Sequence, residues 1–250
     1  MRIALAQSRP ARGAVALNLE HHVMLAERAV GLGADLVVFP ELSLTGYEPE
    51  LARALALEPD DPVLDPLQRL ADSRGVVIAP GAPLRSEGQP RIGLVLLRPH
   101  APRRAHAKHH LHADEEPYFG RGQEPVGLVD GAPRIGLAIC YELSVPEHAA
   151  ATFASGAQIY LASAAKTAPG VAQAHLRLAE VARAFHAPVL FVNAVGPSAD
   201  GLCAGGSAAW DAEGRLLGRL DDAHEGLLTF DSVSGRLAAA SGEEAQDVCA

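Results

Sequence analysis

A short apolar run that ends in a cysteine constrains the fold of this chain more than any other feature. The run Ile135–Ile139 follows Pro133 and leads directly into Cys140. Its length and composition are typical of a buried strand. A thiol at the end of such a strand is held by rigid backbone, and the amide groups of the next turn are free to bind a developing negative charge. The alternative is that Cys140 is a small core residue, since free cysteines are often buried.

Other short apolar runs alternate with helical patterns along the chain. The pattern predicts helices at about residues 18–32, 62–71, 145–154 and 172–185, the first with Asn18 as its N-cap. It predicts strands at residues 2–6, 36–39, 76–79, 92–97, 103–106, 135–139, 158–162 and 189–192. Beyond Gly196 short strands and turns take over. This alternation indicates an α/β layered domain with both parallel and antiparallel strand pairs.

Composition narrows the classes of function. The 250 residues suit a single domain spanning residues 1–250, with about 241–250 as a polar tail. A net charge of -9 without any basic run argues against nucleic acid as a partner. Neither an apolar stretch of about 18 residues nor a charged-then-apolar leader occurs, so no membrane contact is expected. The three cysteines are too few and too scattered for a disulfide framework, and we therefore expect a cytoplasmic protein.

Three polar residues stand out where apolar segments end. Glu41 follows the predicted strand at residues 36–39, Lys108 lies in a long polar loop, and Cys140 ends its own strand. Each alone is a weak indication, because a glutamate after a strand or a lysine in a loop is usually solvated. Their surroundings resemble the nitrilase superfamily of carbon–nitrogen hydrolases, which use a Glu-Lys-Cys triad. The matching segments, in family order, are VVFPELSLTGYEPE, AKHHLHADEEPYFGRG and GLAICYELSVPEHA.

The resemblance extends from residue 2 to about residue 231. Two later segments also look like family signatures, GAQIYLASAAK and the GGS-x-x-W-D-x-x-G pattern at residues 205–214. The resemblance implies a four-layer α-β-β-α sandwich, a small-molecule substrate, and neither metal nor organic cofactor. It also implies a homodimer or a higher homo-oligomer. We expect the helix after Cys140 and the helix at residues 172–185 to form the interface through an apolar stripe, Val171, Ala174, Leu178 and Val181.

The chemistry of the implied triad is consistent with these residue types. A thiol with a pKa near 8.5 is mostly protonated at pH 7 and needs a base beside it. Glu41 can take that proton if burial raises its own pKa. Cys140 then attacks an amide carbonyl or a nitrile carbon, while Lys108 and the backbone N–H of Tyr141 stabilise the oxyanion. Glu41 returns the proton to the departing nitrogen, and water hydrolyses the resulting thioester.

A second glutamate near the lysine is implied by the resemblance, and two candidates adjoin in this chain. Glu115 occupies the matching place in the pattern H-A-D-E-x-P-Y-F, which leaves Glu116 as an ordinary solvated residue. A shift by one residue points a side chain elsewhere, so we favour Glu115. The aromatic residues nearby are candidates for the pocket wall, although ordinary core packing is an equal alternative: Tyr47, Phe119 and Tyr141.

Two other interpretations of the function stay open at this point. The first is a metal- or ligand-binding protein without catalysis, since a histidine-rich tract surrounds Lys108: His106, His109, His110 and His112. That tract lacks the HExxH spacing of a zinc helix, and no CxxC supports it. The second is a nitrilase acting on a small nitrile. True nitrilases commonly have Trp after the nucleophile, where this chain has Tyr141, which favours small amides or carbamoyl compounds as substrates.

Overall fold

The computed structural model describes residues 1–124, 126–241 and 244–246. Its helices are α1 (Val15–Gly31), α2 (Ala52–Leu55), α3 (Asp65–Arg74), α4 (Pro146–Ala154) and α5 (Ala168–Phe185), with short 3-10 turns at Pro49–Leu51, Pro62–Leu64 and Cys140–Ser144. Its strands are β1 (Arg2–Gln7), β2 (Leu36–Val38), β3 (Val77–Ala79), β4 (Gly81–Leu84), β5 (Arg91–Leu96), β6 (Arg104–Ala107), β7 (Gly127–Val129), β8 (Ile135–Ile139), β9 (Ile159–Ala164), β10 (Val189–Asn193), β11 (Val195–Ser198), β12 (Gly201–Ala204), β13 (Ala208–Trp210), β14 (Leu216–Arg219), β15 (Gly226–Asp231), β16 (Leu237–Ser241) and β17 (Glu244–Gln246).

Two six-stranded sheets form the body of the molecule. The first has the order β17-β16-β15-β1-β2-β3, and the second has the order β14-β13-β10-β9-β8-β7. At the centre of the first sheet, β1 pairs in parallel with β2 and antiparallel with β15. At the centre of the second, β9 pairs in parallel with both β8 and β10. The mixture of parallel and antiparallel pairs predicted from the alternating pattern is therefore confirmed.

The alternation of side chains along β1 shows how the layers stack. Ile3 and Leu5 lie in a core between the two sheets, where Ile135 and Leu137 of β8 meet them. Ala4 and Ala6 point the other way, into a second core shared with helices α1 and α3. Successive side chains of a strand face opposite sides of its sheet, so one strand contributes to both cores.

A third core covers the outer face of the second sheet. Ala138 of β8 and Tyr160 of β9 pack there against Ala149 of α4 and Leu178 of α5. Three cores separate four layers, in the order helix, sheet, sheet, helix. The α-β-β-α sandwich implied by the family resemblance is confirmed.

Helix α5 differs from its predicted use. The stripe expected at a subunit interface packs instead against the second sheet, since Ala174, Leu178 and Val181 are buried in the core of their own chain. The stripe was correctly recognised as apolar, but its partner is the sheet beneath it. An amphipathic helix on a sheet always turns such a face inward.

Helix α1 starts earlier than predicted, and Asn18 lies within it. The Asn18 side chain accepts a hydrogen bond from the Ala11 N–H at 2.7 Å and donates to the carbonyls of Ala11 and Leu44. It therefore anchors the preceding loop to the helix and does not cap it. Of the predicted polar tail, Ser241 ends β16 and Glu244–Gln246 forms β17. The remainder, Cys249 included, lies outside the described residues.

Two small sheets complete the architecture. β4, β5 and β6 form an antiparallel sheet that continues from β3 through a bridge between Ile78 and Leu97. β11 and β12 form a hairpin between β10 and β13 of the second sheet. Among the described residues no helix is long and apolar enough to span a membrane.

Candidate active site

Three strands end next to the predicted triad. Lys108 follows β6 directly, and Cys140 follows β8 directly. Glu41 comes after β2, beyond Phe39 and Pro40. Glu41 is 1% exposed and Lys108 is fully buried, whereas Cys140 is half-buried. The strand ends thus bring together side chains that lie up to 99 residues apart, the separation of Glu41 and Cys140.

Lys108 lies between two carboxylates. Its Nζ donates to Glu41 Oε1 at 2.8 Å and to Glu115 Oε1 at 2.5 Å. Glu115 is itself fixed, because Oε2 accepts from the His112 N–H at 2.8 Å and Oε1 accepts from the Tyr47 hydroxyl at 3.3 Å. Charge-assisted hydrogen bonds of this kind are stronger than neutral ones. The ammonium group is therefore held from two sides without contact with solvent.

Glu116 has a different environment from its neighbour. Its side chain is exposed and forms an ion pair with Arg121 at 2.9 Å. Such an exposed pair contributes little to stability. The structure therefore brings Glu115, and not Glu116, to Lys108.

Burial and charge shift the pKa values of the buried pair. Burial raises the pKa of Glu41 above its ordinary 4.5, Lys108 opposes this shift, and the negative charge of Glu115 adds to it. Burial alone lowers the pKa of Lys108, but the carboxylates of Glu41 and Glu115 more than offset this effect, and its pKa is raised. The lysine is therefore charged at neutral pH, and one carboxylate binds protons more readily than usual.

One oxygen of Glu41 is available for proton transfer. Its Oε2 is buried and has no hydrogen-bond partner in the part of the chain that the structure describes. Interaction with the Cys140 thiol lowers the pKa of Glu41. Burial raises the pKa of that thiol to about 11, Glu41 adds to the rise, and Lys166 and Lys108 oppose it. At neutral pH the Cys140 thiol therefore keeps its proton. The Glu41 carboxylate beside it can accept that proton.

The backbone at Cys140 is in the left-handed region, with φ at 46°. Cys140 begins a 3-10 turn that ends at Ser144, so the chain reverses sharply at the end of β8. A residue with a side chain rarely adopts this conformation, and its presence indicates strain maintained by the surroundings. The same feature occurs at the sharp turns that expose nucleophiles at strand ends.

Glu142 holds this turn in place, and sequence reasoning did not identify it. Its carboxylate accepts from the Ile139 N–H at 2.8 Å, the His109 N–H at 2.7 Å and the His110 N–H at 3.2 Å. One buried side chain thus ties the turn after β8 to the loop that carries Lys108. The available signal was a glutamate directly after a buried apolar strand, where a charged group must find partners.

A cavity of about 360 Å³ opens next to Cys140. Its walls include three predicted residues, Tyr47, Glu115 and Tyr141. Phe119 is 1% exposed and lies in the core between the sheets, not on this wall. Sequence reasoning considered His112 only as a possible metal ligand and did not assign these lining residues to the pocket: Asp114, Ala165, Lys166, Thr167, Gly170 and Asp200. A larger cavity of about 740 Å³ between Arg9, Glu48 and Pro197 contains none of the triad.

The histidines around Lys108 point to different partners. His106 is 5% exposed and packs beneath Gly127. His109 Nδ1 lies 2.8 Å from the Gly122 carbonyl, while His112 Nδ1 faces Asp114 at 3.3 Å. Within residues 1–124, 126–241 and 244–246, no three His, Cys, Asp or Glu side chains are grouped to hold a metal ion.

Comparison with known proteins agrees with this geometry. A family model described as "Carbon-nitrogen hydrolase" matches residues 2–240. An (R)-stereoselective amidase from Pseudomonas sp is 31% identical over 240 residues, which span 93% of this chain and 86% of that protein. A glutamine-dependent NAD(+) synthetase from Synechocystis is 28% identical, with the match spanning 94% of this chain but 47% of that protein.

Solved structures extend the likeness to the fold. An amidase of the nitrilase superfamily from Nesterenkonia AN1 has a TM-score of 0.83 and 27% identity, with 92% of this chain and 90% of that chain covered. In a mutant of that amidase, acrylamide has added to the active-site cysteine. The chain described here therefore belongs to the carbon–nitrogen hydrolases, on the amidase-like branch of the nitrilase superfamily, whose members hydrolyse amides with a cysteine.

Proposed function

We propose that Cys140 is the nucleophile of an enzyme that hydrolyses a small amide or carbamoyl compound through a thioester. The observation that supports this most directly is the state of Glu41. One of its oxygens is bound by Lys108, and the other is buried, unpartnered within the described chain and close to the thiol. A carboxylate so placed can take a proton and give it back without moving.

Acylation uses Glu41 first as a base and then as an acid. Glu41 Oε2 takes the proton of Cys140 as the sulfur attacks the amide carbon, and a C–S bond forms while the carbonyl electrons move to oxygen. The oxyanion is stabilised by the Lys108 ammonium and the backbone N–H of Tyr141. When the C–N bond breaks, the proton on Glu41 goes to the nitrogen, which leaves as ammonia or an amine.

Deacylation repeats these steps with water. Glu41, again ionised, takes a proton from a water molecule whose oxygen attacks the thioester carbon. The second oxyanion collapses, the C–S bond breaks, and the thiolate recovers the proton from Glu41. In this scheme Glu115 positions Lys108, and the Tyr47 hydroxyl and the His112 N–H position Glu115.

Ammonia release tests the substrate class. We expect wild-type enzyme to release ammonia from small amides or carbamoyl amino acids, and intact-mass analysis to show an acyl adduct on Cys140. Cys203 is the matched control, because it is a buried free cysteine on β12 that does not line the Cys140 cavity. Faster turnover of nitriles than of amides would favour the nitrilase alternative. If no compound gave ammonia or an adduct, a non-catalytic protein of this fold would be the better description.

We also propose that residues 1–250 form one hydrolase domain that assembles as a homodimer in the cytoplasm. The outer side of α5 supports the choice of interface, because Leu176 is 64% exposed there while the opposite side of the helix is buried. Light scattering of wild type and of Leu176→Glu should give a dimer and a monomer, and a monomeric wild type would contradict the proposal.

A further inference from the structure

Lysine occurs at two positions among the 21 lysines and arginines of this chain, Lys108 and Lys166. Both lie close enough to Cys140 to lower the pKa of its thiol. Lysine carries a compact charge on a flexible stem, whereas arginine is a planar fork. Both lysines of the chain thus lie near its reactive sulfur.

The ammonium groups of the two lysines differ in their partners. Lys108 is buried and binds two carboxylates. Lys166 is half-buried on the wall of the Cys140 cavity, and its ammonium has no ion pair or hydrogen bond among the residues that the structure describes. A cation that lines a cavity without a partner is free to bind a group that enters it.

The base of Lys166 is nevertheless rigid. Its N–H donates to Asn193 Oδ1 at 2.7 Å, and Asn193 Nδ2 donates back to its carbonyl at 3.0 Å. Asn193 is itself fully buried at the end of β10. The stem of Lys166 lies along Gly170, where an added Cβ would be 3.3 Å from the lysine Cβ. Only the end of the side chain is therefore left to move.

The start of helix α5 adds positive potential to the same wall. This 18-residue helix begins after Thr167, whose side chain makes no capping hydrogen bond, and its first turn contains no acidic residue. Thr167 and Gly170 both line the cavity. Unsatisfied N–H groups and the helix dipole favour an anion at such a terminus.

Three carboxylates also line the cavity, those of Asp114, Glu115 and Asp200. Burial raises the pKa of Asp200, and the nearby charges of Asp114 and Glu115 raise it further. Because Glu115 is paired with Lys108, Lys166 is the lining cation without a partner among the described residues, and an anionic substituent is attracted to it.

We propose that Lys166 selects amide substrates that carry a carboxylate, which it pairs with at the wall of the Cys140 cavity beside the start of α5. This inference rests on the proposed function, because it names the substrate class of the same site. Lys166 acts on the part of the substrate remote from the scissile bond. Lys166 therefore determines specificity, whereas Lys108 takes part in the triad chemistry.

Three amides with the same four-carbon chain test this. Butyramide is neutral, glutaramate adds a carboxylate at the far carbon, and 4-aminobutyramide carries an ammonium there. We expect kcat/KM to favour glutaramate over butyramide by roughly tenfold to a hundredfold, as for one charge-assisted hydrogen bond. Lys166→Met should abolish this preference. Because Lys166 also lowers the pKa of the Cys140 thiol, turnover of all three amides should fall by a common factor as well, and the ratio of kcat/KM between glutaramate and butyramide is the readout. Lys166→Glu should reverse the preference in favour of 4-aminobutyramide.

Arg183 provides the matched control. It is an exposed cation in the last turn of α5 and does not line the cavity. Arg183→Met removes a charge of the same sign from α5 but not from the cavity wall, so the preference for glutaramate should persist. A wild-type enzyme without that preference, or a Lys166→Met variant that lost equal activity on all three amides, would overturn the inference. The second result would make Lys166 an electrostatic activator of the thiol.

A binding measurement separates this inference from the proposed chemistry. Calorimetric titration of Cys140→Ala with glutaramate and butyramide needs no turnover. Tighter binding of glutaramate that disappears in Cys140→Ala/Lys166→Met would support Lys166 even if the triad roles were wrong. Equal binding of the two amides would overturn the carboxylate preference even if the enzyme hydrolysed both.

Discussion

Two buried glutamates lie beside the Cys140 turn, and they are stabilised in different ways. Glu41 has one oxygen on the Lys108 ammonium and the other unpartnered within the described chain. Glu142 has its carboxylate on three backbone N–H groups. Burial raises the pKa of both, that of Glu142 to about 7. A carboxylate with a free oxygen can exchange protons, whereas one that binds the backbone fixes the shape of the chain.

The largest expected effect is at the sulfur itself. Cys140→Ala should reduce turnover below detection without unfolding the protein, because the change removes one atom from a half-buried side chain. Ammonia release and circular dichroism measure the two outcomes. Cys203→Ala and Cys249→Ala are the controls and should keep nearly full activity. A dead Cys203 variant beside an active Cys140 variant would contradict the site assignment.

Glu41→Gln should have the next-largest effect. Acylation should slow by roughly a thousandfold, as expected for loss of a general base. The variant keeps the size of the side chain and an oxygen for Lys108 but cannot accept the thiol proton. The unfolding midpoint should stay near that of wild type. Stopped-flow measurement of the acyl-enzyme burst with an amide substrate checks this. A normal burst would show that another group takes the proton.

Lys108→Met should slow both half-reactions by roughly a hundredfold, because each passes through an oxyanion. Removing the ammonium also raises the pKa of Glu41, since Lys108 lowers it. The acid limb of the rate profile should then move to higher pH. Single-turnover kinetics with an activated ester separates the two steps. Deacylation at the wild-type rate would make this lysine a binding residue.

Glu142→Gln should show the reverse of Glu41→Gln. Its loss of folding stability should be larger than its direct effect on catalysis. The new NH2 group would face backbone N–H donors, at a cost of about 1–3 kcal/mol. Denaturant unfolding and ammonia release measure the two effects. Loss of activity with unchanged stability would instead make Glu142 a catalytic group.

The free energy of unfolding of wild type and of Glu142→Gln should also depend differently on pH. Because the pKa of Glu142 is raised to about 7 in the folded state, its stabilising contribution is fully present below about 4.5 and is lost as pH rises through about 7. Glu142→Gln lacks this titration. His148 lies 3.6 Å from Glu142, but burial lowers its pKa to about 3, so it stays neutral across the pH range of this test. The stability advantage of wild type should therefore shrink between pH 4.5 and pH 8.

Glu115→Gln should have the smallest effect, a decrease in kcat of about tenfold from looser positioning of Lys108. Because the charge of Glu115 raises the pKa of Glu41, its removal should also move the acid limb to lower pH. A pH profile of kcat/KM checks the direction. A shift to higher pH would mean that Glu115 acts on Glu41 in another way.

The sequence predicted the strand ends better than the contacts made there. The positions of Glu41 and Cys140 followed from apolar runs that stop abruptly, which is a local signal. Strands β4 and β7 were missed because Gly81–Leu84 and Gly127–Val129 are short and lack alternation. The layering and the family followed from the resemblance and are confirmed, while the catalytic roles stay predictions.

The residues that sequence reasoning missed have long-range partners. Glu142 binds amides of the lysine loop more than 30 positions away, and Lys166 is held by Asn193 at a separation of 27. No spacing rule connects such residues, since tertiary packing alone brings them together. Phe119 was misplaced for a related reason, because an aromatic residue fills a core and a pocket equally well.

The left-handed backbone at Cys140 has a consequence for how the protein evolves. Four non-glycine residues have positive φ in the described chain, and two of them, Leu42 and Cys140, lie at the site. Each such residue costs roughly 1–2 kcal/mol, which a glycine would relieve. Glycine at position 140 would therefore favour the fold and end the reaction. Selection for thermal tolerance and selection for turnover act in opposite directions on this single codon.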